Sequence, residues 1–238
     1  PDVAAVFGSY DAMPRAPGLV SQYRNLLHHF VHQHGDSAAS TFWAGCGAVR
    51  RDVFATLGGF DARRFPRPSI EDIELGYRLR AAGHRILLDK ELQGTHLKRW
   101  TLRSVVTTDV TCRAVPWARL NLERRASLTD LNLKASQRAS AALVGVAGVC
   151  ALMAAVHQGF AGGAAAAVLG VVVLNRDFFG FLRRRRGLTF AAACVPLHLL
   201  YFLYSGLSYA FVNLEFRLRG SAEPSSTPVV THPRGGSR

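Results

Sequence analysis

The sequence predicts a partial α/β layer of Rossmann type, followed by an amphipathic interfacial helix and about three transmembrane helices. Three observations carry that prediction. Over residues 1–98 short β-type runs alternate with helix-like pieces, the pattern of strands interleaved with covering helices. Residues 99–138 are basic and place apolar side chains at helical spacing. Residues 139–175 contain no Asp, Glu, Lys or Arg over 37 positions, and residues 187–214 contain none over 28; charge-free runs of this length are membrane material. That segregation reconciles a net charge of +13 with a mean hydropathy of +0.11. The composition excludes a disordered chain and a disulfide-stapled secreted domain, and it argues against a purely soluble globular protein.

The elements follow in order. Val3 to Ser9 is a short β-type run, Leu19 to His34 a helix, and Phe42 to Val49 a compact strand containing glycine. Asp52 to Leu57 forms a short helix closed by Gly58 and Gly59. Ile70 to Ala82 is a longer helix with Ser69 as its cap, and Ile86 to Asp89 is the strand after it. In the basic zone Leu102, Val105, Val106 and Val110 recur at helical spacing, and Pro116 breaks the pattern before Trp117. Arg103, Arg113, Arg119, Arg124 and Arg125 supply the cationic complement. Trp and Arg on an apolar-faced segment suit a membrane interface, although an ordinary surface helix has the same periodicity.

The 37-residue apolar run is too long for one span, since about 20 residues cross a bilayer. His157, Gln158, Gly159 and the pair Gly162–Gly163 place a turn near its middle, giving spans of about 139–156 and 160–175. A third, more aromatic span covers about 188–211. Arg176 and the run Arg183 to Arg186 lie between apolar spans, so they read as a cytoplasmic loop under the positive-inside rule. That placement explains the basic balance without nucleic acid as a partner. It makes the protein multi-pass in the cell membrane, with the first zone cytoplasmic and the segment after Phe216 outside. Residues 220–238, rich in Ser, Pro and Gly, read as a disordered tail. Cys46, Cys112, Cys150 and Cys194 form no CxxC pair and read as buried thiols in a reducing compartment.

The residues that could carry chemistry concentrate between Phe42 and Trp100. Glu71 and Asp72 stand in the first turn of a helix, where carboxylates favour the positive end of the dipole. The same position could instead project Asp72 into a cleft as a general base for an acceptor hydroxyl. Lys98 and Arg99 could neutralise a leaving group's developing charge. Trp100 offers either a flat face for a sugar ring or lipid chain, or an interfacial anchor. Of His28, His29, His32 and His34, the pair 28/32 has helical spacing, but Asp36 is the only further ligand candidate, so a zinc site is not expected. His198, alone in an aromatic span, is expected to hydrogen-bond a neighbour.

The segments FWAGCGAVRRDVFATLGGFD, SIEDIELGYRLRAAGHRILL and GTHLKRW, in this order and at these gaps, resemble the C-terminal half of the catalytic domain of membrane-bound family 2 glycosyltransferases. The resemblance covers about residues 1–100 and implies a GT-A-like fold. It implies that Asp72 is the catalytic base and Glu71 its partner. His96, Arg99 and Trp100 fall where processive members carry Gln-x-x-Arg-Trp, whose Arg contacts the nucleotide diphosphate and whose Trp stacks on the acceptor. His96 stands where Gln is usual, and the Asp72–Arg99 gap is shorter than a processive synthase would have. His96 also matches a late histidine that some relatives use as a metal ligand.

The family's Asp-x-Asp motif does not occur in these 238 residues. In the family it lies just upstream of a strand resembling PDVAAVFGSYD. The resemblance therefore implies an acceptor-side fragment, with the divalent cation (Mg or Mn) bound mostly by the upstream part, and no turnover by this piece alone. The expected activity is inverting transfer of a sugar from a nucleotide sugar to a lipid-linked or polysaccharide acceptor, with membrane lipids as further partners. A polyprenyl-phosphate glycosyltransferase, whose acceptor needs little base catalysis, is the rival within the class. A non-catalytic membrane-anchored remnant is the rival outside it, and a transporter fragment is disfavoured because the spans carry no charge.

Overall fold

The computed structural model describes residues 3–124 and 135–219. It is mostly helical, with a small mixed sheet and two or three helices long and apolar enough to cross a membrane. The sheet has four strands, β1 (Val3–Tyr10), β2 (Ala38–Ala39), β3 (Gly47–Val49) and β4 (Arg85–Gly94), in the order β2-β4-β1-β3. β1 runs parallel to β4 and antiparallel to β3, while β2 pairs antiparallel with β4. Ala5, Phe7, Ile86 and Leu88 of the central strands form a core with Phe42, Val53, Leu75 and Leu79.

Three helices serve this sheet: α1 (Leu19–Gln33), α2 (Arg51–Thr56) and α3 (Glu71–Ala81). Helix α3 approaches unusually closely because its middle residue is Gly76. A Cβ there would meet the Phe42 amide nitrogen and lie 2.8 Å from the Thr41 carbonyl carbon. The expected strand over 42–49 is real only from Gly47; a 3₁₀ turn at Ala44–Cys46 replaces its first half. Ser69 is not the cap of α3, whose N-cap is Ile70 without a side-chain bond.

The basic zone forms α4 (Leu102–Asp109), a π turn (Val110–Ala114) and α5 (Val115–Arg124). Pro116 therefore does not break the helix, contrary to the sequence reading. Proline lacks an N–H, so the carbonyl four residues earlier, that of Cys112, loses its helical partner. The π turn absorbs the strain, and Ser69 Oγ donates to that freed carbonyl at 2.8 Å. A helix breaker has become the joint between the interfacial segment and α3. The N-terminus of α4 is closed by a reciprocal cap between Thr101 and Ser104. Arg125 and the rest of 125–134, like the tail 220–238, lie outside the described residues.

The apolar helices are α6 (Ala135–Met153), α7 (Gly159–Leu174) and the pair α9 (Leu188–Ala193) and α10 (Val195–Leu218), which continue one another over 31 residues. At about 1.5 Å per residue, the 16 residues of α7 fall short of a ~30 Å hydrocarbon core. Val149, Leu152, Leu169, Leu203, Leu207, Phe211 and Leu214 stand exposed on these helices, more apolar surface than a monomer shows to water. Residues 176–186 are not the loop that their charges suggested. They form α8 (Arg176–Arg186), bent 73° from α7. Phe178, Phe181 and Leu182, at i, i+3 and i+4, pack on Tyr23, Leu26 and Leu27 of α1 and leave the arginines outside. Of the cysteines only Cys194 is buried; the other three are half-buried.

Candidate active site

A cavity of about 160 Å³ opens between α1, the Thr41–Trp43 segment, the start of α3 and the π turn. Asp72 stands in its wall. Its Oδ2 accepts the Ala44 amide at 3.0 Å and its Oδ1 the Ile73 amide at 2.8 Å. Burial nevertheless pushes the Asp72 carboxyl above its ordinary value, with neighbouring Glu71 adding in the same direction. Glu71 itself turns away and accepts the Ser69 amide through Oε2 at 2.6 Å.

Two arginines share the cavity lining with Asp72, Arg24 from α1 and Arg113 from the π turn. One carboxylate holds both: Asp109 Oδ1 accepts from Arg24 and from Arg113, each at 2.8 Å. Its Oδ2 accepts the Tyr204 hydroxyl of α10 at 2.6 Å. Asp109 is 3% exposed. A buried charge must be paired, so the wall of the cavity is locked to the apolar helix behind it. Burial lowers the Arg113 pKa, and adjacent Arg24 adds to the fall, as expected of two cations sharing a single anion.

The rest of the lining is largely aromatic. Trp43 and His28 line the cavity, and Tyr10 meets both edge-on, with ring centroids 4.7 and 4.9 Å away. Tyr10 also meets His96, at 4.3 Å. His28 Nε2 lies 3.1 Å from His32 Nε2, and burial pushes both rings down, His32 to about 4. They are therefore neutral at pH 7. Among the described residues no three His, Cys, Asp or Glu side chains gather to hold a metal.

The residues of the GTHLKRW segment do not join Asp72 in the cavity wall. His96 stacks on Trp100 at 6.2 Å, and its buried Nδ1 lacks a hydrogen-bond partner. Burial lowers the His96 pKa, with Lys98 adding to the effect. Lys98 Nζ sits 3.8 Å above the Trp100 ring. Trp100 is 6% exposed and clipped to α1 by reciprocal bonds between its backbone and Ser21 Oγ. Its indole is occupied by protein neighbours, while Arg99 is exposed. His198 meets Tyr23 across α1 and α10, at 2.8 Å.

Arg24, Asp109, Trp43 and Tyr204 escaped the sequence reading, and Arg113 entered it only as part of a cationic face. One signal was legible: Asp109 and Arg113 stand at i,i+4, an ion-pair spacing on a helix. No family model matches the chain, nor does any curated protein or solved structure. The membrane-compatible helices, the small mixed sheet and the Asp72 cavity therefore stand on the chain's own geometry.

Proposed function

We propose that this chain is the acceptor-side part of a membrane-bound inverting glycosyltransferase with a GT-A-like domain. In this reading Asp72 is the general base. The supporting observation is the state of Asp72: a carboxylate in the wall of a cavity that two arginines also line, its pKa raised by burial. A base works best when its pKa approaches the operating pH, and burial moves Asp72 in that direction even though two backbone amides bond its oxygens. The segments resembling family 2 enzymes support the same assignment, the apolar helices support a multi-pass protein, and the basic run Arg183–Arg186 favours a cytoplasmic α/β layer.

The base would take the proton of an acceptor hydroxyl as that oxygen attacks the donor sugar, and Arg24 and Arg113 would hold charge nearby. Leaving-group neutralisation would fall to exposed Arg99 and to Lys98 released from Trp100. His96 has an orphaned nitrogen to offer a cation, but no other ligand stands beside it among the described residues. The donor set present does not fit a divalent ion, and no step is assigned to one.

The test is sugar transfer from radiolabelled nucleotide sugars to extractable lipid or glycan, in membranes carrying the protein from its full natural reading frame. Asp72→Asn is expected to lower transfer by about 10² to 10⁴. A loss of only a few-fold would favour the rival in which a phosphate acceptor attacks without a base. The two arginines beside Asp72 are the observation that keeps that rival in play. No transfer from any nucleotide sugar by the wild type would leave the membrane-anchored remnant.

A further inference from the structure

We infer that α9 and α10 lie along the membrane surface as an in-plane anchor, and that the α6–α7 hairpin is the part that enters the bilayer. Length and composition let α10 cross a membrane; its bonding partners set its direction. The inference concerns how the protein sits on lipid, and it does not depend on the transferase reading.

The first observation is what runs beside α10. His198 meets Tyr23 of α1 at 2.8 Å, Tyr204 donates to Asp109 of α4 at 2.6 Å, and Glu215 accepts from Arg119 of α5 at 2.9 Å. These ties run from 198 to 215, roughly 26 Å of helix at ~1.5 Å per residue, nearly the ~30 Å of a hydrocarbon core. If α10 crossed, Asp109 with its two arginines and the exposed Arg119 would lie among acyl chains, where ionised groups are strongly disfavoured. The polar layer and α10 lie side by side, so they belong on one surface of the membrane.

The second observation is where the hairpin is rooted. Phe202 packs with Val144 of α6 and Val171 of α7, and a Cβ on Gly206 would stand 3.6 Å from that of Ala141. Asn175 Nδ2 closes the root by donating to Ser140 Oγ at 2.9 Å. The buried residues of α6 and α7 are Ser140, Val144, Ala167 and Val171, all in the half nearest α10. Beyond them Val149, Leu152, Val156 and Phe160 are exposed. A hairpin held near the middle of α10 and free beyond it projects away from the layer.

The outer face of α10 is the third. Leu203, Leu207, Phe211, Leu214 and Leu218, three or four residues apart, form one exposed stripe. His198, Phe202, Ser208 and Val212 are buried on the covered side. Such one-sided apolar exposure suits a helix in the interface plane. Cations stand at both ends, Arg183–Arg186 before α9 and exposed Arg217 and Arg219 at the end of α10. A crossing helix keeps its excess cations at one end, whereas an in-plane helix keeps both ends at anionic headgroups. The stripe therefore rests on the boundary of headgroups and acyl chains in an anionic leaflet. The third span expected over about 188–211 becomes this anchor, and the segment after Phe216 returns to the side of the α/β layer.

The experiment places the full chain in nanodiscs of phosphatidylcholine and phosphatidylglycerol, brominated either near the headgroup or near the chain end. Leu203→Trp, Leu207→Trp and Leu214→Trp report depth through the emission each adds to that of the wild type. The expected result is one quenching ratio at all three positions, with the headgroup-side bromine the stronger quencher. Val149→Trp in the hairpin should show the reverse preference. A crossing α10 would separate Leu203 from Leu214 by about 16 Å of depth, so a ratio that changes along the three positions overturns the inference. Quenching by neither lipid at these positions would put a second protein copy on the stripe and overturns it too.

An epitope tag after Arg238 gives a reading that leaves every residue of the fold in place. In sealed vesicles the tag and the α/β layer should be reached by antibody from the same side; a tag on the opposite side contradicts the in-plane helix. Neither measurement reads sugar transfer, so failure of the transferase reading and failure of this inference are seen separately.

Discussion

Two parts of the molecule present candidate chemistry, and they are built in opposite ways. The strip from His96 to Trp100 is contiguous in sequence, and its members pack on one another: imidazole on indole, ammonium over indole, indole under α1. The Asp72 cavity is assembled from residues 24, 43, 72, 109, 113 and 204, which share no local pattern, and it opens beside a carboxylate and two guanidiniums. The strip closes its rings on one another although His96 Nδ1 and Trp100 Nε1 keep no hydrogen-bond partner, whereas the cavity sets charged groups beside open space, where perturbed titratable groups cluster at functional sites.

The contrast breaks most easily at Asp109. Asp109→Ala leaves two guanidiniums facing each other with their shared anion gone and the Tyr204 hydroxyl unpaired. Removing one partner of a buried pair costs about 3–5 kcal/mol, so thermal melting should show the largest loss of any cavity variant. A loss below about 1 kcal/mol would mean that the arginines are already solvated.

Next in size is the pH response. His32 has its pKa pushed from 6.5 to about 4 by burial, so the folded state refuses a proton that the unfolded chain accepts. Stability is then complete above about pH 6.5 and falls as pH drops toward 4, by up to about 3 kcal/mol for this ring. A melting series from pH 7.5 to 4 on wild type and His32→Phe checks the sign; the variant should show the shallower decline.

Gly76→Ala comes after it. Its Cβ would press on the Thr41–Phe42 backbone, pushing α3 off the segment that forms the cavity floor. Overpacking of this kind costs about 1–3 kcal/mol, and the displacement should lower transfer as well. The smallest effect belongs to the strip. Lys98→Ala removes a single exposed cation–π contact, about 0.5–1 kcal/mol of stability.

Part of this arrangement was legible in the residues. Val3–Tyr10, Leu19–Gln33 and Glu71–Ala81 match the β-type run and the two helices read from the residues, and the apolar helices follow from absent charge. β2 was not legible, because two alanines carry no strand signal and pair only where β4 offers an edge. Helix α8 was hidden by its arginines, which drew attention from Phe178, Phe181 and Leu182 on its other face. Pro116 misled because a single π turn can absorb a proline. Asp72 could be found from the Glu-Asp pair at a helix start, but Arg24 reads locally as one cation on an amphipathic helix. Only tertiary packing places it beside residues more than eighty positions away.

The most direct test of the account measures transfer and melting on one preparation of Asp72→Asn. The raised Asp72 pKa means that its ionised form works against the fold at neutral pH, while Asn keeps an acceptor for only one of the two amides that Asp72 holds, so the two effects offset. The account predicts transfer down by at least about 10² with a melting temperature close to that of the wild type. Retained transfer with a melting temperature several degrees lower would contradict it, and would make Asp72 a helix-start carboxylate that serves only the fold.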